Sequence, residues 1–328
     1  MTVAGNTVGT TMPRSNWNQT DPTKADYILN REYAYNPNLL DNWYFGNPVN
    51  QRGATEYTAS GFTLDRWRLE LKSTVSPYLA VGDGCVVLHN ETATGTPCSC
   101  FITQAIDNPM RFSGKKITFS VKFKGVESLA NAIIKIRSSG GNSSTKYVDV
   151  SYANSIVSVS MTLASAITSL DVCIGSMMSF GGDGSMHLEI ESAKLEIGAI
   201  STLANDAPPK FSEQLLECQR YYIRYGSDGG QWLMGAANGT MLYVPLRLPV
   251  PLRAFPDTAN GGFKYANVNI YPYVSGGKVE VTSLSLAGAS GTQDFMLYAA
   301  YSDSSFAAKS PGALRFTAGG YVELSAEI

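Results

Sequence analysis

Short runs in which apolar and polar residues alternate, broken by turn-forming residues roughly every 8 to 15 positions, dominate this chain. "KITFSVKFK" is the clearest of them. Its period of two places Ile117, Phe119, Val121 and Phe123 on one face and lysines and small polar residues on the other. "AIIKIRSSGGNSSTKYVDVSY" predicts a hairpin bent at Gly140, Gly141 and Asn142, and "SIVSVSMTL" and "MHLEIESAKLEIG" continue the series. Strands of this length with regular turn signals predict a β-sandwich of jelly-roll type.

Helical periodicity stands out once, in "PKFSEQLLECQRYY". Ser212 is placed to cap it, Glu213 suits its positive end, and Phe211 and Leu216 occupy the two staple positions. Phe211, Leu215, Cys218 and Tyr222 would share its buried face. Alternation then resumes in "TMLYVPLRLPV", "NVNIYPYV", "KVEVTSLSL", "FMLYAAY" and "LRFTAGGYVELSAEI". Pro245, Pro249 and Pro251 have no N–H for a ladder, so their strand is expected at an edge or at a bulge. The expected class is all-β: two jelly-roll-like sandwiches, a short connecting helix and an extended N-terminal arm. The boundaries read as an arm over 1–35, a first sandwich over 36–200, a linker and helix over 201–222, and a second sandwich over 223–328.

Composition agrees with this reading and removes several function classes. Charged residues are 16% of 328, glycine numbers 31, and the net charge is −2 with Lys and Arg scattered, which leaves no electrostatic footprint for nucleic acid. No apolar run approaches the ~18 residues of a membrane span, so no membrane insertion is expected. "MTVAGNTVGTTMPRSNWNQ" lacks a basic segment followed by an apolar core. The five cysteines have no CxxC spacing and read as buried or free thiols of a reducing compartment.

Residues able to do chemistry are sparse. His89 and His187 stand apart in sequence, and no nucleophile elbow or phosphate loop is present; "SGGKVE" lacks the spacing and the helix of one. Glu189 and Glu191 share one strand face about 7 Å apart, with Glu196 close by. A solvated strand face explains them more simply than a glycosidase pair. "GGDGS" (181–185) reads as a hairpin turn, not a cation loop. No catalytic residues, cofactor or metal are expected.

Carbohydrate recognition asks for rigid exposed aromatics beside polar side chains. Trp67 in "LDRWRL" reads as core. In "NLLDNWYFGNP" the adjacent Trp43, Tyr44 and Phe45 cannot all face one way. One or two should plug the sandwich end, leaving Trp43 or Tyr44 exposed. "NVNIYPYVS" places Asn267, Asn269, Tyr271 and Tyr273 opposite Val268, Ile270 and Pro272. That face suits a glycan, or cover by a neighbouring subunit. Trp43, Tyr44, Trp232, Asn269, Tyr271 and Tyr273 are the glycan-binding candidates.

Three segments resemble bacteriophage tail-fibre and tail-appendage proteins: "SNWNQTDPTKADYILNR", "NPNLLDNWYFGNPVNQRG" with "GFTLDRWRL", and "KLEIGAISTLANDAPPKFSEQLLECQRYYIRYG". "YVPLRLPVPLRAFPDT" is similar to the Pro-rich strand that follows this helix in fibre C-terminal domains, with Leu252 where Met is usual. Together they cover about a third of the chain in the expected order. The first jelly roll also resembles carbohydrate-binding modules through its "NLL.NWYF" start and "KLEIG" end, motifs that build the fold and leave the ligand open. The resemblance implies a non-enzymatic virion protein made in the bacterial host cytoplasm. It also implies a homotrimer, held to other tail or capsid proteins by the arm and recognising a host cell-surface glycan. A capsid-attached head fibre or decoration protein is the alternative, and a glycan-degrading tailspike is disfavoured by the missing carboxylates.

Overall fold

In the computed structural model, the described residues are 36–72, 75–91, 98–128, 132–178, 185–226, 232–238, 240–272, 278–290, 292–302 and 310–327. The arm, "GGDGS" up to residue 184, "SGGKVE" up to residue 277 and the candidate Tyr273 lie outside them. Twelve strands make the first half. They are β1 (Glu56–Tyr57), β2 (Gly61–Phe62), β3 (Arg68–Lys72), β4 (Val75–Gly82), β5 (Cys85–Glu91) and β6 (Cys98–Ala105), then β7 (Lys116–Ser128), β8 (Ala132–Ser138), β9 (Ser143–Val148), β10 (Ile156–Thr162), β11 (Leu170–Met178) and β12 (Ser185–Ile197). They form two antiparallel six-stranded sheets, in the orders β1-β4-β5-β12-β7-β10 and β2-β3-β6-β11-β8-β9.

The alternation read from the sequence fixes which faces meet. Ile117, Phe119, Val121 and Phe123 are fully buried against Leu69, Ile102, Ile134 and Ile174 of the opposite sheet. The expected bend lies between β8 and β9, with Gly140 and Gly141 both at positive φ, where a Cβ would be strained. In β12 the inward residues are Met186, Leu188 and Ile190 at first, then Ala193 and Leu195. Register shifts on either side of Ile190 insert an extra residue and reverse the parity. From there the chain around Asn38–Phe45 lies along β12: Leu39 N–H donates to the Leu195 carbonyl, Ala193 N–H to Trp43, and Phe45 N–H to Glu191.

The second half is all-β as well, and one sheet encloses its core. After the helix α1 (Phe211–Gln219) come β13 (Tyr222–Tyr225), β14 (Trp232–Asn238), β15 (Met241–Arg247), β16 (Phe263–Pro272), β17 (Val279–Ser290), β18 (Asp294–Tyr301) and β19 (Pro311–Ser325). The order is β13-β19-β14-β15-β18-β17-β16, and β16 pairs with β19 too, so six strands close into a barrel with β13 appended. The 15-residue β19 spans it: Pro311–Arg315 pair with β14 and Val322–Ser325 with β13. Closure pairs the six strands around the barrel, with a gap in the ladder where β14 no longer reaches residues 244–247 of β15. Leu242, Val244, Ile270, Leu297, Leu314 and Phe316 fill the interior, each fully buried.

Two local expectations change. Pro245 lies inside β15 opposite Met296 of β18, at a level where β14 no longer pairs, so its missing N–H breaks no ladder bond. Pro249 and Pro251 follow the strand. The helix starts at Phe211 with Lys210 in the capping position and no side-chain cap. Ser212 therefore stands inside the first turn, and Phe211 and Leu216 remain exposed, so no staple forms. The buried helix residues are Gln214 and Cys218.

Candidate functional site

The aromatic run 43–45 divides as alternation requires. Phe45 is fully buried with its ring 5.1 Å from that of Trp67, whose Nε1–H donates to the Asn42 carbonyl at 2.9 Å. Trp43 and Tyr44 stand edge to face at 6.0 Å and are half-buried. They line a cavity of about 270 Å³ together with Lys122, Glu191, Ser192 and Asp206. Lys122 and Glu191 are ion-paired across it at 2.7 Å. Two rings beside a cation and a carboxylate can pack one sugar face and bond its hydroxyls.

A second cluster lies on the outer wall of the barrel. Arg315 in β19 stands directly opposite Trp232 of β14 on one side and Asn269 of β16 on the other. Leu314 and Ile270 point inward, so these three positions face out, and so does Tyr271, which is opposite Ala313. The Trp232 and Tyr271 rings are 5.3 Å apart and tilted by 58°, with the Arg315 guanidinium 5.0 Å from the first and 5.1 Å from the second. Trp232 is 45% exposed, whereas Asn269 is only 8% exposed and works as a support. Of the six candidates, Trp43 and Tyr44 meet at one site and Trp232, Asn269 and Tyr271 at the other.

Between the sandwich and the barrel lies a third constellation that the sequence reading missed. Arg52 donates to Glu327 and faces Asp65 at 3.4 Å, and its guanidinium lies 3.8 Å over the Tyr222 ring. Arg66, in a left-handed conformation with φ of 72°, donates to Asp41 at 2.9 Å and covers the Tyr221 ring at 3.6 Å. Its backbone N–H donates to Glu327 at 3.1 Å. Asp107 accepts from Tyr221 at 2.8 Å and from Arg253 at 2.6 Å. Burial raises the carboxyls of Asp65, to about 7, and of Glu327, against the pull of Arg52. Asp65 and Arg66 lie just before β3, and Cys218 and Tyr222 at the end of α1 and the start of β13, so the short connections of the chain build this junction. The available signal was charge set beside aromatics in short loops. A cavity of about 510 Å³ opens beside it, lined by Arg52, Phe62, Tyr222, Lys264 and Glu323 among others.

The glutamates singled out in β12 each face a partner. Glu189 lies 3.8 Å from His187, Glu191 pairs with Lys122, and the buried Glu196 accepts from the Thr202 N–H and hydroxyl at 2.7 Å each. The bulge in β12 turns Lys194 and Glu196 away from the core, where the chain of residues 202–206 covers them, and Lys194 meets Asp206 at 2.7 Å. His89 and His187 prove to be opposite each other across β5 and β12, with ring centres 6.0 Å apart and Tyr78 stacked on His89 at 4.8 Å. Among the described residues no three potential ligands converge on a metal position. Cys85, Cys100, Cys173 and Cys218 are buried, and Cys85, Cys173 and Cys218 are free thiols.

The chain matches no protein-family model and no curated protein sequence. Among solved structures it is similar to the family 11 carbohydrate-binding module of the cellulosomal cellulase Lic26A-Cel5E of Clostridium thermocellum. The identity is 15%, over 50% of this chain and 96% of that one, with a TM-score of 0.25. It is similar to the C-terminal family 22 module of Clostridium thermocellum Xyn10B at 16% identity, over 49% and 98%, with a TM-score of 0.23. The tandem family 22 modules of Paenibacillus barcinonensis Xyn10C give 10% identity, over 89% and 98%, with a TM-score of 0.27. At such scores the likeness carries no argument about a ligand.

Proposed function

We propose that the chain is a non-catalytic glycan-recognition protein of a bacteriophage appendage, with the barrel wall around Trp232 as its recognition surface. The observation that carries this is the exposed Trp232 paired with the half-buried Tyr271 around Arg315 on a closed barrel. Closure holds the rings in place before a ligand arrives, so little entropy is lost on binding. The virion assignment rests on the fibre-like segments. It brings with it a homotrimer and attachment through Met1–Tyr35.

Stacking one sugar on an aromatic ring contributes about 1 kcal/mol beyond the area buried, so each site would bind in the ~1 mM range. Three linked sites would raise avidity by roughly 10² to 10⁴. Trp232→Ala with Tyr271→Ala should lower adsorption of the protein to host cells at least about tenfold while the melting temperature stays near the parent's. Equal adsorption by both proteins would refute the assignment. A light-scattering mass equal to the 35.3 kDa chain would refute the trimer. The Trp43–Tyr44 cleft offers a second surface, favoured by its Lys122–Glu191 pair. Loss of adsorption on Trp43→Ala alone would move the site there.

A further inference from the structure

We infer that the barrel site selects an anionic saccharide, with Arg315 as the residue that reads its charge; this rests on the glycan reading of the same wall. Arg315 differs from the other half-buried arginines that bridge elements. Arg52, Arg137 and Arg224 each face a carboxylate within 4 Å. Arg315 has no carboxylate partner among the described residues. Its Nε–H is buried and has no hydrogen-bond acceptor. The carboxylate nearest in register, Glu280, stands opposite Asn269 on β17, one strand beyond, and makes no ion pair with Arg315.

A half-buried guanidinium whose Nε–H is shut off from water without an acceptor is better satisfied when something supplies a counter-charge. Here the faces of Trp232 and Tyr271 supply a partial one, each about 5 Å from the guanidinium. The same two rings leave the cation flanked by the surfaces a sugar would stack on. A saccharide seated on Trp232 would therefore carry its substituents past a planar fork that accepts a carboxylate bidentately. A hexuronate matches that fork best, and a sulfated sugar shares its charge. A neutral sugar would stack and offer hydroxyl acceptors to Arg315, but no counter-charge.

The test uses the full chain on an immobilised panel of oligosaccharides: uronates, their methyl esters, sulfated sugars and neutral sugars. The parent should hold uronates at least about tenfold more tightly than their methyl esters, and added salt should reduce that ratio. Arg315→Gln should bring the ratio close to one while weak binding of the esters persists, and Arg315→Lys should keep part of it. Preference for sulfated over carboxylated sugars, again lost in Arg315→Gln, would support the charge reading and assign the substituent. Equal binding of acid and ester by the parent, both lost on Trp232→Ala, would overturn this inference and leave the glycan reading standing. Binding to no member of the panel would overturn both.

Discussion

Glu327 joins the last strand of the barrel to the sandwich, so Glu327→Gln should uncouple the two. Its side chain is 1% exposed and that of Arg52 15%. The carboxylate accepts from Arg52 and from the Arg66 N–H. Removing one partner of a buried pair costs about 3–5 kcal/mol. Arg52 keeps Asp65 at 3.4 Å and Tyr222 beneath it. Burial also raises the Glu327 carboxyl, so part of the pair's attraction already offsets desolvation. The expected loss is therefore at the low end or below it, about 2–3 kcal/mol. Urea unfolding near neutral pH measures it, with Trp67 in the sandwich and Trp232 on the barrel as distinct reporters. The parent should unfold in one transition, and Glu327→Gln should separate the two signals. A cycle with Arg52→Met should give a coupling of at least about 1 kcal/mol. A loss below about 0.5 kcal/mol that is additive with Arg52→Met would refute the claim that this pair holds the halves together.

The junction also predicts a pH dependence. Burial raises Asp65 from 3.8 to about 7, so between those values the folded chain keeps a proton that the unfolded chain has lost. The stability due to Asp65 is complete below the lower value and gone above the upper one. Parent stability should thus fall relative to Asp65→Asn as pH rises across that window, and parallel curves would refute the shift. Phe45→Ala should cost about 3–5 kcal/mol, while Trp43→Ala, at a half-buried position, should cost less than half as much in the same denaturation assay. Gly175→Ala should cost at least about 3 kcal/mol, since at φ of 157° a Cβ there would lie 1.9 Å from the Cys100 carbonyl oxygen. Wild-type stability for that variant would mean that β6 and β11 can separate locally.

Local periodicity determines much of this protein. The face of Ile117, Phe119, Val121 and Phe123, the Gly140–Gly141 bend, the all-β class and the single helix all follow from spacing, because a side chain's face in a strand depends only on its parity. The burial of Phe45 was legible for the same reason, as was the outward direction of Tyr271 opposite the inward Ile270, while Trp67 reads as core despite its imperfect alternation with Leu64 and Leu69. Parity shifts where an extra residue enters a strand: the bulge at Ile190 turns Lys194 and Glu196 away from the core, and the chain of residues 202–206 buries them there in place of a solvated face. Capping of α1 depended on where the chain left the sandwich, a long-range constraint that outweighed the local preference of Ser212. Pairing is also long-range. Whether β16 closes on β19, which brings Arg315 between Trp232 and Tyr271, and whether Glu327 reaches Arg52 are decided by register and by the packing of sheet on sheet. Sequence spacing carries no measure of either, so the faces were determined by the chain alone and the sites only by its tertiary structure.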